Sequence, residues 1–305
     1  MENLLSYIYE GGIYRFEELA DLLDDIGMTI VRREDTGVST TAVFAVPQDD
    51  FPIVEAKARE IGGELKRAAL AGTEIAVVAP SPSARHLPHP TCDIAEYLRR
   101  AGAQTILISL ARGFGQEPLI ENYERRLINE CDLSVFIFGD SKYCIERKSV
   151  IFENLSVPSL VTGGPKKCQL PRAHGYAGGF GRRTDRVKSK RDISNLNNLV
   201  KVADKIISSK KESIYQYLPD VHLPSLVKRI MEEVPEIMDV LSPSPITIKI
   251  DGLRVKLPYD EYAERIGNIS LDGQKIGAFS TLTRSVLKGH TLIKINPSFS
   301  SKSII

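Results

Sequence analysis

Residues 74–100 read EIAVVAPSPSARHLPHPTCDIAEYLRR, and their succession of strand, proline-held loop and helix sets the pattern for the middle of the chain. Residues 75–79 are an uninterrupted apolar run, the mark of a strand buried on both faces. Pro80, Pro82, Pro88 and Pro90 exclude regular helix from the next stretch and keep it extended. Thr91 then offers an N-cap, and Ile94, Ala95, Tyr97 and Leu98 recur at helical spacing. Cys92 falls in the first turn of that helix, where open N–H groups and the helix dipole favour a thiolate. His86 and His89 lie just upstream, so two of the five His and one of the four Cys crowd into one loop. Two readings stand. One is a soft-ligand site for a metal ion or an iron–sulfur cluster. The other is a capped helix with a small buried thiol and two solvated imidazoles, because the spacing matches no standard zinc pattern.

The same alternation continues outward. Strands are expected at residues 105–110, 133–138 and 159–162, and helices at 93–101, 119–129, 143–148 and 196–207. Apolar strands alternating with helices predict a parallel sheet covered on both faces. Ligands of such sheets bind beyond the carboxyl ends of the strands. The loops leaving those ends cover residues 80–91, 111–118, 139–143 and 163–170. Two of them carry glycines and cations, ARGFGQEP and TGGPKKC. Arg112, Gly113, Gly115, Gly163 and Gly164 are therefore candidates to hold an anion near the backbone, with plain glycine turns as the alternative. Neither GxGxxG nor GxxxxGK[ST] occurs, which excludes self-contained NAD or ATP binding. Cys92, Cys144 and Cys168 follow or lie in carboxyl-end loops. With His86 and His89 they either approach one rim or, for Cys144 and Cys168, lie too far apart to share anything. Cys131 precedes its strand and belongs on the opposite edge as a structural thiol.

Residues 1–72 read β-α-β-β-α-β, a ferredoxin-like unit, with helices at 16–26 and 51–61 and a hairpin turn at Thr36-Gly37. Residues 212–305 offer an amphipathic helix at 226–234 and the stiff connector SPSP. Hairpin turns at Asp251-Gly252 and Asp272-Gly273 and a strand at 291–295 follow. The fold class is thus α/β: a ferredoxin-like N-terminal unit, a central parallel α/β sheet domain at residues 73–211, and a small β-containing C-terminal extension. Residues 174–191, HGYAGGFGRRTDRVKSKR, form a Gly-hinged run of cations. It is either a solvated face or a dock for an acidic protein surface.

Lys+Arg 40 against Asp+Glu 39 leaves a net charge of +1, which gives no global footprint for nucleic acid. No apolar run approaches the ~20 residues of a membrane span. The stretch MENLLSYIYEGG lacks the basic-then-apolar form of a signal peptide. Four scattered Cys then suggest reduced thiols or metal ligands.

YEGGIY at residues 9–14 resembles the opening of the methanogenesis marker protein 7 family. The resemblance recurs in AGTEIAVVAP, LPHPTCDIAEYLRRAGA, LARGFG, VTGGP and LSPSPITIKIDGLRVKLPYDEYAERI, in order along the chain. The tail departs from that pattern in its polar ending, SSKSII. The resemblance implies a cytoplasmic, non-catalytic subunit of the assembly that reductively activates methyl-coenzyme M reductase in methanogenic archaea. Its implied partners are other methanogenesis marker proteins, the operon protein C of methyl-coenzyme M reductase, an ATPase activation component and the reductase itself. Membranes and nucleic acid are not among them. The implied cofactor is an iron–sulfur cluster in an electron-transfer path, bound by this chain or shared with a partner subunit. His89 and Cys92 of LPHPTCD are the implied cluster-facing residues, with His86 beside them. A different class of function competes: a small-molecule transferase that binds an anionic substrate in the glycine-bearing carboxyl-end loops.

Overall fold

The computed structural model describes residues 4–79, 90–110, 120–181, 187–219, 221–240, 242 and 244–297. It is a mixed α/β structure with a parallel five-stranded sheet and separate antiparallel sheets. The chain divides into two compact units, one of Met1–Gly72 with Lys211–Ile305 and one of Thr73–Lys210.

The first unit opens with β1 (Leu4–Gly12), α1 (Phe16–Asp25), β2 (Ile30–Thr36), β3 (Ser39–Pro47), α2 (Phe51–Glu60) and β4 (Glu64–Arg67). The strands lie in the order β2-β3-β1-β4, each antiparallel to its neighbour, which is the split βαβ arrangement of a ferredoxin-like unit. Phe16, Leu19 and Leu23 recur at helical spacing and pack with Tyr9, Phe44 and Val54 between helices and sheet. The β2–β3 turn is Gly37-Val38, one residue later than the sequence suggests, because Thr36 already pairs with Ser39 and Gly37 holds φ +61°.

The second unit contains β5 (Glu74–Ala79), α3 (Pro90–Arg100), β6 (Gln104–Ser109), α4 (Asn122–Asn129), β7 (Leu133–Ile137), α5 (Lys142–Arg147), α6 (Val150–Glu153), β8 (Ser159–Gly163) and β9 (Gly175–Gly178). α7 (Lys190–Tyr215) follows, most of it in this unit. All five strands are parallel, in the order β6-β5-β7-β8-β9. β5, β7 and β8 are buried at every position, as uninterrupted apolar strands covered on both faces must be. The strand order reverses between β5 and β7, so the switch point lies at the carboxyl ends of those two strands.

Two features depart from expectation here. α3 starts at Pro90, whose fixed φ and missing N–H suit the first helical position, so Thr91 lies inside the helix and is not its cap. The glycines of residues 175–181 are more than a loop, since Gly175–Gly178 is the edge strand β9. A Cβ at Gly175 would press on Val202 and Ile206 of α7, and one at Gly178 would collide with the carbonyls of Pro165 and Lys166. Glycine is there for close approach.

The chain returns to the first unit with α8 (Leu223–Glu233), a 3-10 turn, β10 (Ile246–Lys249), β11 (Gly252–Val255) and α9 (Tyr259–Asn268). It ends in β12 (Ser270–Leu271), β13 (Gln274–Lys275), α10 (Ile276–Phe279), β14 (Ser280–Arg284) and β15 (Thr291–Ile295). The antiparallel order is β10-β11-β15-β14, and its core, with Leu226, Ile230, Leu253, Val255 and Ile293, also takes in Val31 of β2. The first hairpin turns through Ile250-Asp251, because Gly252 already pairs with Lys249 and its Cα sits against the Ile293 carbonyl. Asp272-Gly273 turns as expected, with both residues at positive φ.

Candidate carboxyl-edge site

α3 is followed by a tight return into β6, in which Ala103 N–H donates to Leu98 O at 3.1 Å. Its carboxyl end therefore lies at the amino edge of the sheet and its first turn at the carboxyl edge. Cys92 sits in that first turn and its thiol is exposed. The same turn is tied to the chain ahead of α7. Lys188 Nζ lies 3.0 Å from Asp93 and 3.4 Å from Glu96, with the Tyr97 ring 6.0 Å away. Those carboxylates hold the Lys188 ammonium above its ordinary range, the hydrogen bond it donates to Asp93 contributing most. The cleft among Pro90, Asp93, residues 179–181, Asp192 and Asn195 has only water-scale room.

Asp140, just past β7, is a further carboxylate of this edge. A side chain at Gly164 or at Gly181 would collide with its Oδ1. Gly164 N–H donates to Gly139 O at 3.1 Å and Phe180 N–H to Gly163 O at 2.9 Å, so the turns after β7, β8 and β9 are laced together. A side chain at Gly163 would strike Ile145. Gly163 and Gly164 thus have packing reasons to be glycine, and a carboxylate beside Gly164 opposes an anion at that point. Deeper in the loop, Tyr176 Oη donates to Pro165 O at 2.7 Å with Cys168 beside it. Burial, then the Cys168 contact, raises the Tyr176 phenol above its ordinary range. Exposed Lys166 and Lys167 precede that cysteine.

Of the residues singled out in the sequence, Cys92, Gly163, Gly164 and Cys168 fall in the described part of this unit. His86, His89, Arg112, Gly113 and Gly115 lie outside the described residues, as do Arg182, Arg183 and Arg186 of the basic run and the Cys144 side chain. Cys131 is buried, with Sγ 3.7 Å from Leu127 O, where α4 leads into β7 at the amino edge. Among the described residues no three His, Cys, Asp or Glu side chains gather as a metal site. Asp140 was not singled out in the sequence. No pattern along the chain signals it, because its setting depends on β7, β8 and β9 being neighbours.

Residues 4–269 match the family described as methyl-coenzyme M reductase operon protein C. An uncharacterized protein of Methanocaldococcus jannaschii is 39% identical over 291 residues, 95% of this chain and 93% of that protein. Methyl-coenzyme M reductase operon protein C of Methanococcus vannielii is 32% identical over 110 residues, 32% of this chain and 53% of that protein. Methyl-coenzyme M reductase I operon protein C of Methanocaldococcus jannaschii is 28% identical over 110 residues, 32% of this chain and 52% of that protein. Among the described residues no helix is long and apolar enough to cross a membrane.

Proposed function

The chain belongs to the methyl-coenzyme M reductase operon protein C family, and from that premise we propose that it is the marker protein 7 member of the assembly that reductively activates the reductase. In this reading it is a cytoplasmic, non-catalytic subunit. It works beside other marker proteins, operon protein C and an ATPase, and helps to hold an iron–sulfur electron-transfer path.

The observation that carries the site is the exposed thiol of Cys92 in the first turn of α3. A thiol there is accessible at the start of a helix, and soft metal centres take sulfur ligands. The described residues supply no complete ligand set beside it. The remaining ligands come from His89, with His86 near it, or from a partner subunit that shares the cluster. A bound cluster supplies one-electron chemistry at low potential. What this chain contributes is a thiolate at a fixed place, on a helix anchored by Ile94, Ala95 and Leu98 in the core.

Anaerobic affinity purification of the tagged chain from a methanogen lysate tests the reading. Recovery of the reductase and the ATPase together with iron and acid-labile sulfide is the expected result. A colourless chain that comes down alone and turns over a phosphorylated substrate contradicts it and favours the transferase.

A further inference from the structure

Among the described residues β6 is an edge strand of the five-stranded sheet with no partner strand on its outer side, and its outward groups can be assigned. Gln104 N–H donates to Thr73 O at 2.8 Å and Leu110 N–H to Ala79 O at 3.0 Å, with unbroken pairing to β5 between them. Even-numbered residues of β6 therefore aim their backbone groups at β5, and Thr105, Leu107 and Ser109 aim theirs away from the sheet. No described residue meets those outward groups. Leu107 is 56% exposed.

The other described edge strands are guarded. β2 carries Arg32, Arg33, Glu34 and Asp35, and β4 carries Glu64, Lys66 and Arg67. β10 carries Lys249, β14 carries Arg284, β9 has only four residues, and β12 and β13 have two each. Charges and shortness keep edges from pairing with other chains. β6 has six residues, QTILIS, with no charge, no proline and no glycine.

We propose that β6 pairs antiparallel with β6 of a second copy of this chain, about a two-fold axis at Leu107 perpendicular to the sheet, joining two five-stranded sheets edge to edge. In that register Leu107 opposes Leu107, Thr105 opposes Ser109 and Ile106 opposes Ile108. Like meets like: aliphatic with aliphatic and hydroxyl with hydroxyl, with no charge brought against its own copy. The register also agrees with the backbone. Leu107–Leu107 and Thr105–Ser109 are the pairs whose outward N–H and C=O groups exchange hydrogen bonds, and Ile106–Ile108 is a non-bonded pair. A partner chosen for its charge finds nothing to recognise on this strand, which favours the self-complementary occupant. One strand pair covers less than the ~1,600 Å² of a standard interface, so the dimer is concentration-dependent.

Sedimentation equilibrium of the full chain from about 1 to about 100 μM tests this. The native chain should pass from monomer to dimer across that range. Leu107→Lys sets two cations against each other at the axis and should weaken association by at least about tenfold. Thr105→Pro removes only an outward N–H and should do the same while leaving the β5–β6 ladder and thermal melting of the monomer intact. A native chain that stays monomeric throughout overturns the proposal, as does Leu107→Lys with an unchanged dimer constant. A monomer that instead binds a different protein through β6, and loses it in Leu107→Lys, also overturns it, because the occupant is then not a second copy.

Discussion

The two ends of the parallel sheet differ in what they do with polar groups. At the amino edge Glu74, Asp132, Ser134 and Ser159 are buried and hydrogen-bonded. Glu74 N–H donates to Asp132 Oδ2 at 2.8 Å, and Asp132 N–H donates to Glu74 O at 2.7 Å. Lys210 Nζ donates to Asp132 O at 2.9 Å and lies 3.7 Å from its carboxylate. Ser134 donates to Pro158 O and shares a hydrogen bond with Ser159, each at 3.0 Å. The carboxyl edge instead exposes Asp140 and Cys92 among glycines that bring backbone close to backbone. The same residue type has opposite environments at the two ends: Cys131 is buried at the first and Cys92 exposed at the second. A saturated buried network fixes strand order and rigidity. An edge of turns with accessible side chains can meet something outside the chain. The amino edge holds the sheet, and the carboxyl edge carries the accessible side chains on which the proposed function rests.

The largest expected effect breaks the holding end. Asp132→Ala leaves the Glu74 N–H without its acceptor and the Lys210 ammonium without its carboxylate, and should cost about 3–4 kcal/mol in denaturant unfolding. A loss below about 1 kcal/mol would mean that the network is not structural. Next comes a test of how tight the carboxyl edge is. Gly178→Ala drives a methyl into the carbonyls of Pro165 and Lys166 and should cost about 2 kcal/mol. If it is neutral, the turns after β8 and β9 yield readily.

The cysteine pair separates the ends at smaller cost. Cys131→Ser buries a hydroxyl in a thiol's place and should lose about 1–2 kcal/mol, whereas Cys92→Ser should stay within about 0.5 kcal/mol. In the native chain alkylation should reach Cys92 promptly and Cys131 only on unfolding. Equal rates at the two thiols would erase the contrast.

The smallest effect concerns exposed charge, away from this sheet. Glu18 accepts from Arg15 Nε at 2.6 Å and from Lys57 Nζ at 2.7 Å. Chiefly through the Arg15 hydrogen bond and then that of Lys57, its carboxyl is held down to about 2. A depressed carboxylate contributes stability that is present above its unfolded value of about 4.3 and is lost as pH falls toward 2. The side chain is 40% exposed and its partners are solvated, so this acid-side contribution should be slight and should vanish in high salt. The Asp132 contribution should persist in salt. Titrating unfolding with acid at low and high ionic strength tests the Glu18 contribution, which should appear only at low salt.

Much of this architecture is written locally. The buried parallel strands announce themselves as apolar runs, and the ferredoxin-like order follows from helix periodicity and turn residues. β9 does not, because GYAG has no β-branched or aliphatic run and its glycines answer to α7 and to the β8–β9 loop. α9 leaves no stripe to read in the sequence, because Ile266 is its one buried residue. Turn positions slipped by one residue where a glycine sits in or beside the ladder, as at Gly252. The place of Cys92 in the first turn of α3 was legible from the apolar spacing that follows it, although the helix starts at Pro90 and not from a Thr91 cap. Asp140 between Gly164 and Gly181 was not, since strand adjacency is a tertiary fact.

The most direct test of the division of labour uses the complex proposed for this chain. Cys92→Ser and Cys131→Ser should each be built into the chain, purified anaerobically with its partners, and assayed for iron content and for activation of methyl-coenzyme M reductase. The account predicts that Cys92→Ser lowers both together and that Cys131→Ser, once folded, changes neither. Full iron and full activation with Cys92→Ser would contradict it and reduce that thiol to a surface residue at the start of a helix.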